Sequence, residues 1–535
     1  MLVAMRWTPP VDLNSREAKI CKRHETHRRF YRFLRLHRHE LFDDDFQAKL
    51  AEAYSDQPRG TEPVAPALLA AATLLQAYEG TSDKDAAYQA EYDARWQMVL
   101  DCTGSEKAPF CQATLVRFRT RLIEAGLAAE LLRRTAVVAK RSKDFSAKQA
   151  TSLRIAIDSM PLAGAGKVED TLNLLGHALR LLLVVVAASL GQTYEHAVAS
   201  SGATVLQAPS LKAGLDLDWN APHSHDMALR KVVQQIDAVQ AWWRSQMQPH
   251  TSVKAIEQAQ AVVDHIRNQN TERNEQGELR MRQGVAEDRQ ISISDPEMRH
   301  GRKSLTERID GYKKYTALDL VSGLVLAACV LPANVAEAKG ADKLQPEVER
   351  YGQVSELHID RAFPSCAFAK KVDADGGLIV CRALPASQNG LYGRNDFTID
   401  LAARTVRCPA GQVVELRTSG QAIFSTLTCR ACPLRPRCQK PEAKEGRHIT
   451  VGENEALLQK LRAAEKTTEG RARLRERTAV EHAQARHGRL QGPMARYRGV
   501  AKNDFDVQRI AAVQNLMELD RQERQAPQAR VPQAA

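Results

Sequence analysis

Short apolar runs carrying β-branched residues recur through the chain, and their periodicity predicts strands. Arg154-Ile155-Ala156-Ile157-Asp158 and Glu356-Leu357-His358-Ile359-Asp360 are two such runs, each closing on an aspartate. Tyr312 to Leu320 and Leu324 to Leu331 flank Val321-Ser322-Gly323 and predict a hairpin. A helix over Lys339 to Tyr351 and a short strand over Leu378 to Ala383 follow. The order strand, insertion, hairpin, helix, strand, helix, strand predicts an α/β fold, a mixed sheet with helices on its faces.

Other stretches carry helical spacing. Residues Lys22 to His39 place Phe30, Phe33 and Leu34 at helical intervals among many basic residues, which predicts a basic amphipathic helix. Such a helix lies on DNA phosphates, on a partner subunit, or on the protein's own surface. Pro66 opens a helix over Ala67 to Tyr78 that Gly80 ends, and Ser82 caps Asp83 to Tyr92. A third helix over Ala113 to Ala125 carries Arg117, Arg119 and Arg121, which allows a helix-turn-helix reading, although any small helical bundle shares this pattern. Thr171 to Arg282 returns to helical spacing after the first strand and reads as an inserted subdomain, with Trp242-Trp243 in its core. Glu455 to about Leu490 forms a further run of high helix propensity.

The composition narrows the partner. A chain of 535 residues with 43% apolar residues holds several packed domains. Its formal charge of +12 and pI near 9.2 favour a polyanion, nucleic acid first. Met1 to Pro10 lacks a signal-peptide core, and Leu181 to Leu190 is shorter than a bilayer span, so a soluble, intracellular protein with no membrane partner is expected. Ten cysteines are too few for a disulfide scaffold in a chain this long.

Two aspartates closing neighbouring strands emerge at one sheet edge, where hard oxygen donors suit magnesium or manganese. Taken singly, either Asp158 or Asp360 is equally a turn or cap residue. Glu481 is the third candidate, one helical turn after Arg477, with Glu465, Glu469 and Glu476 as rivals on the same run. Arg471, Arg473, Arg475, Arg477, Arg486, Arg489, Arg496, Arg498, Lys502 and Arg509 surround it, a density suited to a phosphate backbone. Cys408, Cys429, Cys432 and Cys438 are spaced Cys-x20-Cys-x2-Cys-x5-Cys, with prolines after Cys408 and Cys432. That is the pattern of a zinc ribbon or knuckle closed by four thiolates, against a metal-free pair of turns. Cys329 and Cys381 read as core.

Several segments together resemble bacterial insertion-sequence transposases of the DDE class. They are Pro66 to Leu69, Tyr78 to Asp83, Tyr92 to Trp96 and Thr114 to Leu122; Ile157-Asp158-Ser159 and Ile359-Asp360-Arg361-Ala362-Phe363; Arg477-x3-Glu481; the Cys-Pro-Ala-Gly and Cys-x2-Cys-Pro-Leu-Arg segments; and the ending Arg496 to Gly499 through Gln514-Asn515-Leu516. The resemblance implies a ribonuclease-H-like catalytic core binding two magnesium or manganese ions, with Asp158, Asp360 and Glu481 as catalytic triad. It further implies transposon-end and target DNA as partners, a homodimer or larger assembly on DNA, and a bacterial cytoplasmic, nucleoid-associated location. Arg477, Arg486, Arg489, Arg117 and Arg119 are the candidate DNA contacts. The chain then divides into a basic helical segment (1–60), a helical DNA-binding domain (61–150), a catalytic domain (151–500) and a C-terminal helix with a disordered tail (501–535). The catalytic domain carries a helical insertion at about 165–295 and a Cys-rich one at about 400–440. The related signature Tyr-x2-Arg-x3-Glu-x6-Lys meets Leu474 and Gly488 here, so the contact of that lysine falls to Arg486 or Arg489, or is absent. A metal-dependent nuclease or resolvase, and a zinc-containing DNA-binding regulator, are the competing functions.

Overall fold

The structure is a computed structural model of the chain and describes residues 6–54, 63–141, 152–246, 253–303, 306–383 and 390–525. The tail expected after the last helix lies outside them.

The central sheet is built as the apolar runs predict, with longer strands. β1 (Leu153–Ala163) is followed, within the helical insertion, by a small hairpin of β2 (Thr271–Arg273) and β3 (Leu279–Met281). Then come β4 (Arg299–Arg302), β5 (Arg308–Asp319), β6 (Val325–Pro332), β7 (Val354–His358) and β8 (Leu378–Val380). β5 pairs antiparallel with β4 and β6 on one edge and with β1 on the other; β1, β7 and β8 run parallel. The β5–β6 turn is fixed by Gly323 at φ 70° and by Asp319, whose carboxylate accepts the Ser322 N–H at 2.9 Å.

Asp158 does not close β1, contrary to the expectation that its strand stops there. Ser159, Met160 and Pro161 look like a turn, yet they continue the ladder, with Pro161 opposite Lys313. β7 has already ended at His358, so β1 has an open side from there on. Ala163, two residues after Pro161, uses that side to bond Pro493 and Ala495 rather than β5. The N–H that Pro161 lacks therefore costs no ladder bond.

The N-terminal helices, the sheet and the terminal helix Val500–Gln525 share one hydrophobic core running from Trp7 to Leu519. Helix Pro66–Glu79 ends on left-handed Gly80, as its sequence predicts. The basic helix is Phe30–Leu41, and it is a core helix instead of a surface one. Arg35 and Arg38 are 0% and 1% exposed. Arg35 pairs with Glu17 at 2.9 Å, and Arg38 donates to the carbonyls of Met98 (2.9 Å) and Val99 (2.8 Å) at a helix C-terminus, where a cation is favoured. Arg29 pairs with Asp520 of the terminal helix at 2.7 Å.

A second buried network joins the same two parts. Arg509 pairs with Asp506 at 2.7 Å and donates to Gln76 at 2.5 Å and to the Tyr497 hydroxyl at 3.1 Å. Gln76 in turn donates to Asp83 at 2.7 Å, and Asp83 also binds Arg119. Asn515 pins the start of β6, exchanging 2.8 Å bonds with the Val325 N–H and C=O while donating to Thr135 at 2.9 Å.

The insertion is a helical subdomain with its own core, in which Trp243 is buried and donates to Gln260 at 3.2 Å. Its first helix, Thr171–Ser189, is long and apolar enough by composition to cross a membrane; half of it is buried against neighbouring helices. The Cys-containing segment forms a third small core around Phe397, Val406 and Phe424.

Candidate active site

Parallel pairing sets two aspartates side by side. Ala156 of β1 lies opposite His358 of β7, so Asp158 and Asp360 stand at matched positions two residues further on. Asp158 is still in β1, opposite Thr316 of β5, while Asp360 sits in the exposed turn after β7 and accepts the Arg361 N–H at 2.7 Å.

The run from Glu455 forms three helices instead of one: Glu455–Lys466, Thr468–Glu476 and Thr478–Gln491. Arg477 is the joint between the last two, and its guanidinium bridges Asp158 (3.2 Å) and Glu481 (2.6 Å). Burial raises the Asp158 carboxyl above the ordinary aspartate range; Arg477 opposes that shift. Gln484, one turn after Glu481, is buried and donates to the Asp158 carbonyl at 3.1 Å. Nothing in the sequence singled Gln484 out, although its spacing from Glu481 places it on the neighbouring face.

The rival glutamates are committed elsewhere. Glu476 pairs with Arg154, Glu469 with Arg473 at 2.9 Å, and Glu465 accepts the Ala383 N–H at 3.2 Å. Arg154 also binds Glu356 at 2.7 Å, and Glu356 contacts buried His358 at 2.9 Å. This cluster fastens the Thr468–Glu476 helix to the ends of β1 and β7.

Asp158, Asp360 and Glu481 all line one cleft of about 1170 Å³. They share it without converging: among the described residues, no three His, Cys, Asp or Glu side chains gather closely enough to hold a metal ion. The cation between Asp158 and Glu481 is Arg477. Leu474 lines a smaller cleft together with Arg361, Arg382, Arg475 and Arg477, and Asp360 and Glu481 line that cleft as well. A Cβ on Gly488 would meet Met160 of β1 at 3.5 Å, an ordinary contact.

Beneath Thr478–Gln491 lies a polar seam. Lys314 of β5 is 2% exposed, donates to Gln491 at 2.8 Å, and is brought down to about 8 by burial. Fully buried His487, driven well below its ordinary value by burial, faces Gln514 at 3.0 Å, and Gln514 donates to the Ala483 carbonyl at 2.8 Å. The terminal helix thereby holds the helix that carries Glu481.

Of the predicted DNA contacts, Arg486 and Arg489 are exposed on Thr478–Gln491, and Arg117 is exposed on Gln112–Glu124. Arg119 is not at the surface. Positions 117 and 121 share a helix face, but 119 points the other way, where it is 7% exposed, bound to both Asp83 oxygens and stacked over Tyr497 at 5.1 Å.

Cys408, Cys429, Cys432 and Cys438 all face one small cavity of about 40 Å³, and the Arg447 N–H donates to the Cys429 sulfur at 3.4 Å. Cys329 and Cys381 are buried as expected.

Compared with known protein families, residues 16–121 match a transposase domain and residues 407–519 match a transposase DDE domain. Comparison with curated proteins and with solved structures gives no match.

Proposed function

Because its two matches make the chain an insertion-sequence transposase of the DDE class, we propose that it binds transposon-end inverted repeats and catalyses metal-dependent DNA cleavage and strand transfer with Asp158, Asp360 and Glu481. The observation that carries the reading is the matched register of the two aspartates in a cleft that Glu481 also lines. The sheet supports it: β6, β5 and β1 are antiparallel neighbours and β7 and β8 continue in parallel, the arrangement of a ribonuclease-H-like core. In this reading residues 151–500 are the catalytic domain with its two insertions, and 61–150 the DNA-binding domain.

The donor chemistry fits magnesium or manganese, since all three side chains are carboxylates, and Arg477 now stands between two of them. Two such ions, when bound, activate the attacking hydroxyl and stabilise the leaving oxygen. The chain's own part is positional. Gln484 fixes the Asp158 backbone, the seam under Thr478–Gln491 fixes the helix of Glu481, and Arg477, which now bridges Asp158 and Glu481, would turn to a DNA phosphate. Arg486 and Arg489 extend that phosphate-binding surface.

The protein incubated with duplex bearing the repeats that flank its gene should yield joined as well as cleaved products. Cleavage with no joined product would favour a nuclease or resolvase instead.

The four cysteines would hold a structural zinc ion. They line one cavity, with a backbone N–H aimed at one sulfur, but as placed they do not gather closely enough to hold the ion and would have to draw together around it. Elemental analysis of purified protein should find about one zinc per chain, lost in Cys432→Ser together with local protease resistance. Metal-free wild type would leave the cysteines as ordinary thiols.

A further inference from the structure

The cleft that the carboxylates line is also cationic. Its lining includes Arg289 from the end of the helical insertion, Arg302 of β4, Lys303, and Arg308 and Lys313 of β5, all outside both family matches. Lys313 pairs with Glu337 at 2.8 Å, Arg308 with Asp310 at 2.9 Å, and Lys303 with Glu307 at 3.9 Å.

Arg289 differs. It is half-buried, its bonds go to the neutral acceptors Asn270 Oδ1 and Thr171 Oγ1, each at 3.2 Å, and it forms no ion pair with any described residue. Burial lowers its proton affinity, with Asp170 the carboxylate that partly offsets the loss. A guanidinium offers five N–H donors, and two are used here. A desolvated arginine held by neutral groups is a costly arrangement unless an anion completes it.

Its anchors are also informative. Thr171 is the first residue of the insertion's first helix, and Asn270 is the last residue of its Lys254–Asn270 helix. Next to them, Gln269 exchanges 2.9 Å bonds with the backbone N–H and C=O of Gln290. Arg289 therefore sits at the neck where the chain enters and leaves the insertion, and it lines the cleft.

We propose that Arg289 is a phosphate-binding residue for the DNA held in the cleft, gripping the backbone from the neck of the insertion. This rests on the transposase reading and adds a second point of grip to it. The fork of a guanidinium suits two phosphate oxygens at once.

The test is equilibrium binding of the full chain to labelled end duplex across a series of salt concentrations. Arg289→Ala should weaken binding about tenfold and reduce the slope of log affinity against log salt by about one. Arg289→Gln, which keeps a polar reach to Asn270 and Thr171, should show the same loss with an unchanged unfolding midpoint. Arg289→Lys should fall between wild type and these neutral variants. Arg230→Ala, on the exposed surface of the insertion, should bind as wild type does. A wild type that binds while both neutral Arg289 variants bind equally well overturns this proposal alone, and so does an equal loss in Arg230→Ala. A wild type that binds no DNA overturns the transposase reading and this one with it.

Discussion

Asp158→Ala is expected to abolish metal-dependent cleavage of end DNA, a loss of at least about a thousandfold, while leaving DNA binding intact. Cation-assisted phosphoryl transfer draws several kcal/mol from the carboxylates that hold the ions, and each 1.36 kcal/mol is about a tenfold rate. Asp158 is a carboxylate of the cleft that burial has already made costly to ionise, and among the described residues its ion-pair partner is Arg477. Removing it should not disturb the strand. Its backbone remains paired with Thr316, and its carbonyl keeps the bond from Gln484. Arg477, released from one partner, retains Glu481 and is freer to meet a phosphate. Binding is therefore expected to be equal or slightly tighter, by gel shift, under conditions where cleavage has gone. Asp158→Asn separates charge from shape and should be equally inactive. Cleavage at the wild-type rate in either variant would sink the assignment of the triad.

Arg509→Ala is expected to destabilise the whole fold by about 3–5 kcal/mol, the range for removing one member of a buried ion pair. Arg509 is 1% exposed and Asp506 0%. Without the guanidinium, Asp506 keeps only the distant Arg496 at 3.9 Å, and both Gln76 and Tyr497 lose a bond. Urea unfolding would show the change directly, and poor solubility on expression would accompany it. If the midpoint moved by less than the equivalent of about 0.5 kcal/mol, the range of an ordinary surface substitution, Arg509 would be a surface residue after all.

That residue also shows where reading the sequence failed. The density of arginine after Arg471 pointed to a phosphate backbone, and Arg486 and Arg489 are indeed exposed. Arg509, Arg119, Arg35 and Arg38 look no different by composition, yet all four are buried. Arg119 is buried by Asp83 and Arg509 by Gln76, both far off along the chain, and even the local Asp506–Arg509 pair has the spacing of an ordinary surface salt bridge, so local spacing does not reveal their burial. The strands were easier. Alternation and β-branched runs identified the hairpin and the two Asp-bearing strands, and the tandem runs put both aspartates in one register. The extension of β1 past Asp158 was hidden because Pro161 reads as a stop unless one knows that β7 has already ended. The polar seam under Glu481 was hidden for the same reason as the arginines, since Lys314 and Gln491 meet only in three dimensions.

The terminal helix bears on how the protein is made. Asp520 and Arg509 complete contacts with Arg29 and Gln76, residues that leave the ribosome hundreds of positions earlier. Until the last helix is synthesised, the N-terminal helices have an open apolar face and unpaired cations, and they must wait. A chain interrupted before residue 500 would therefore be a substrate for proteases instead of a stable folded fragment.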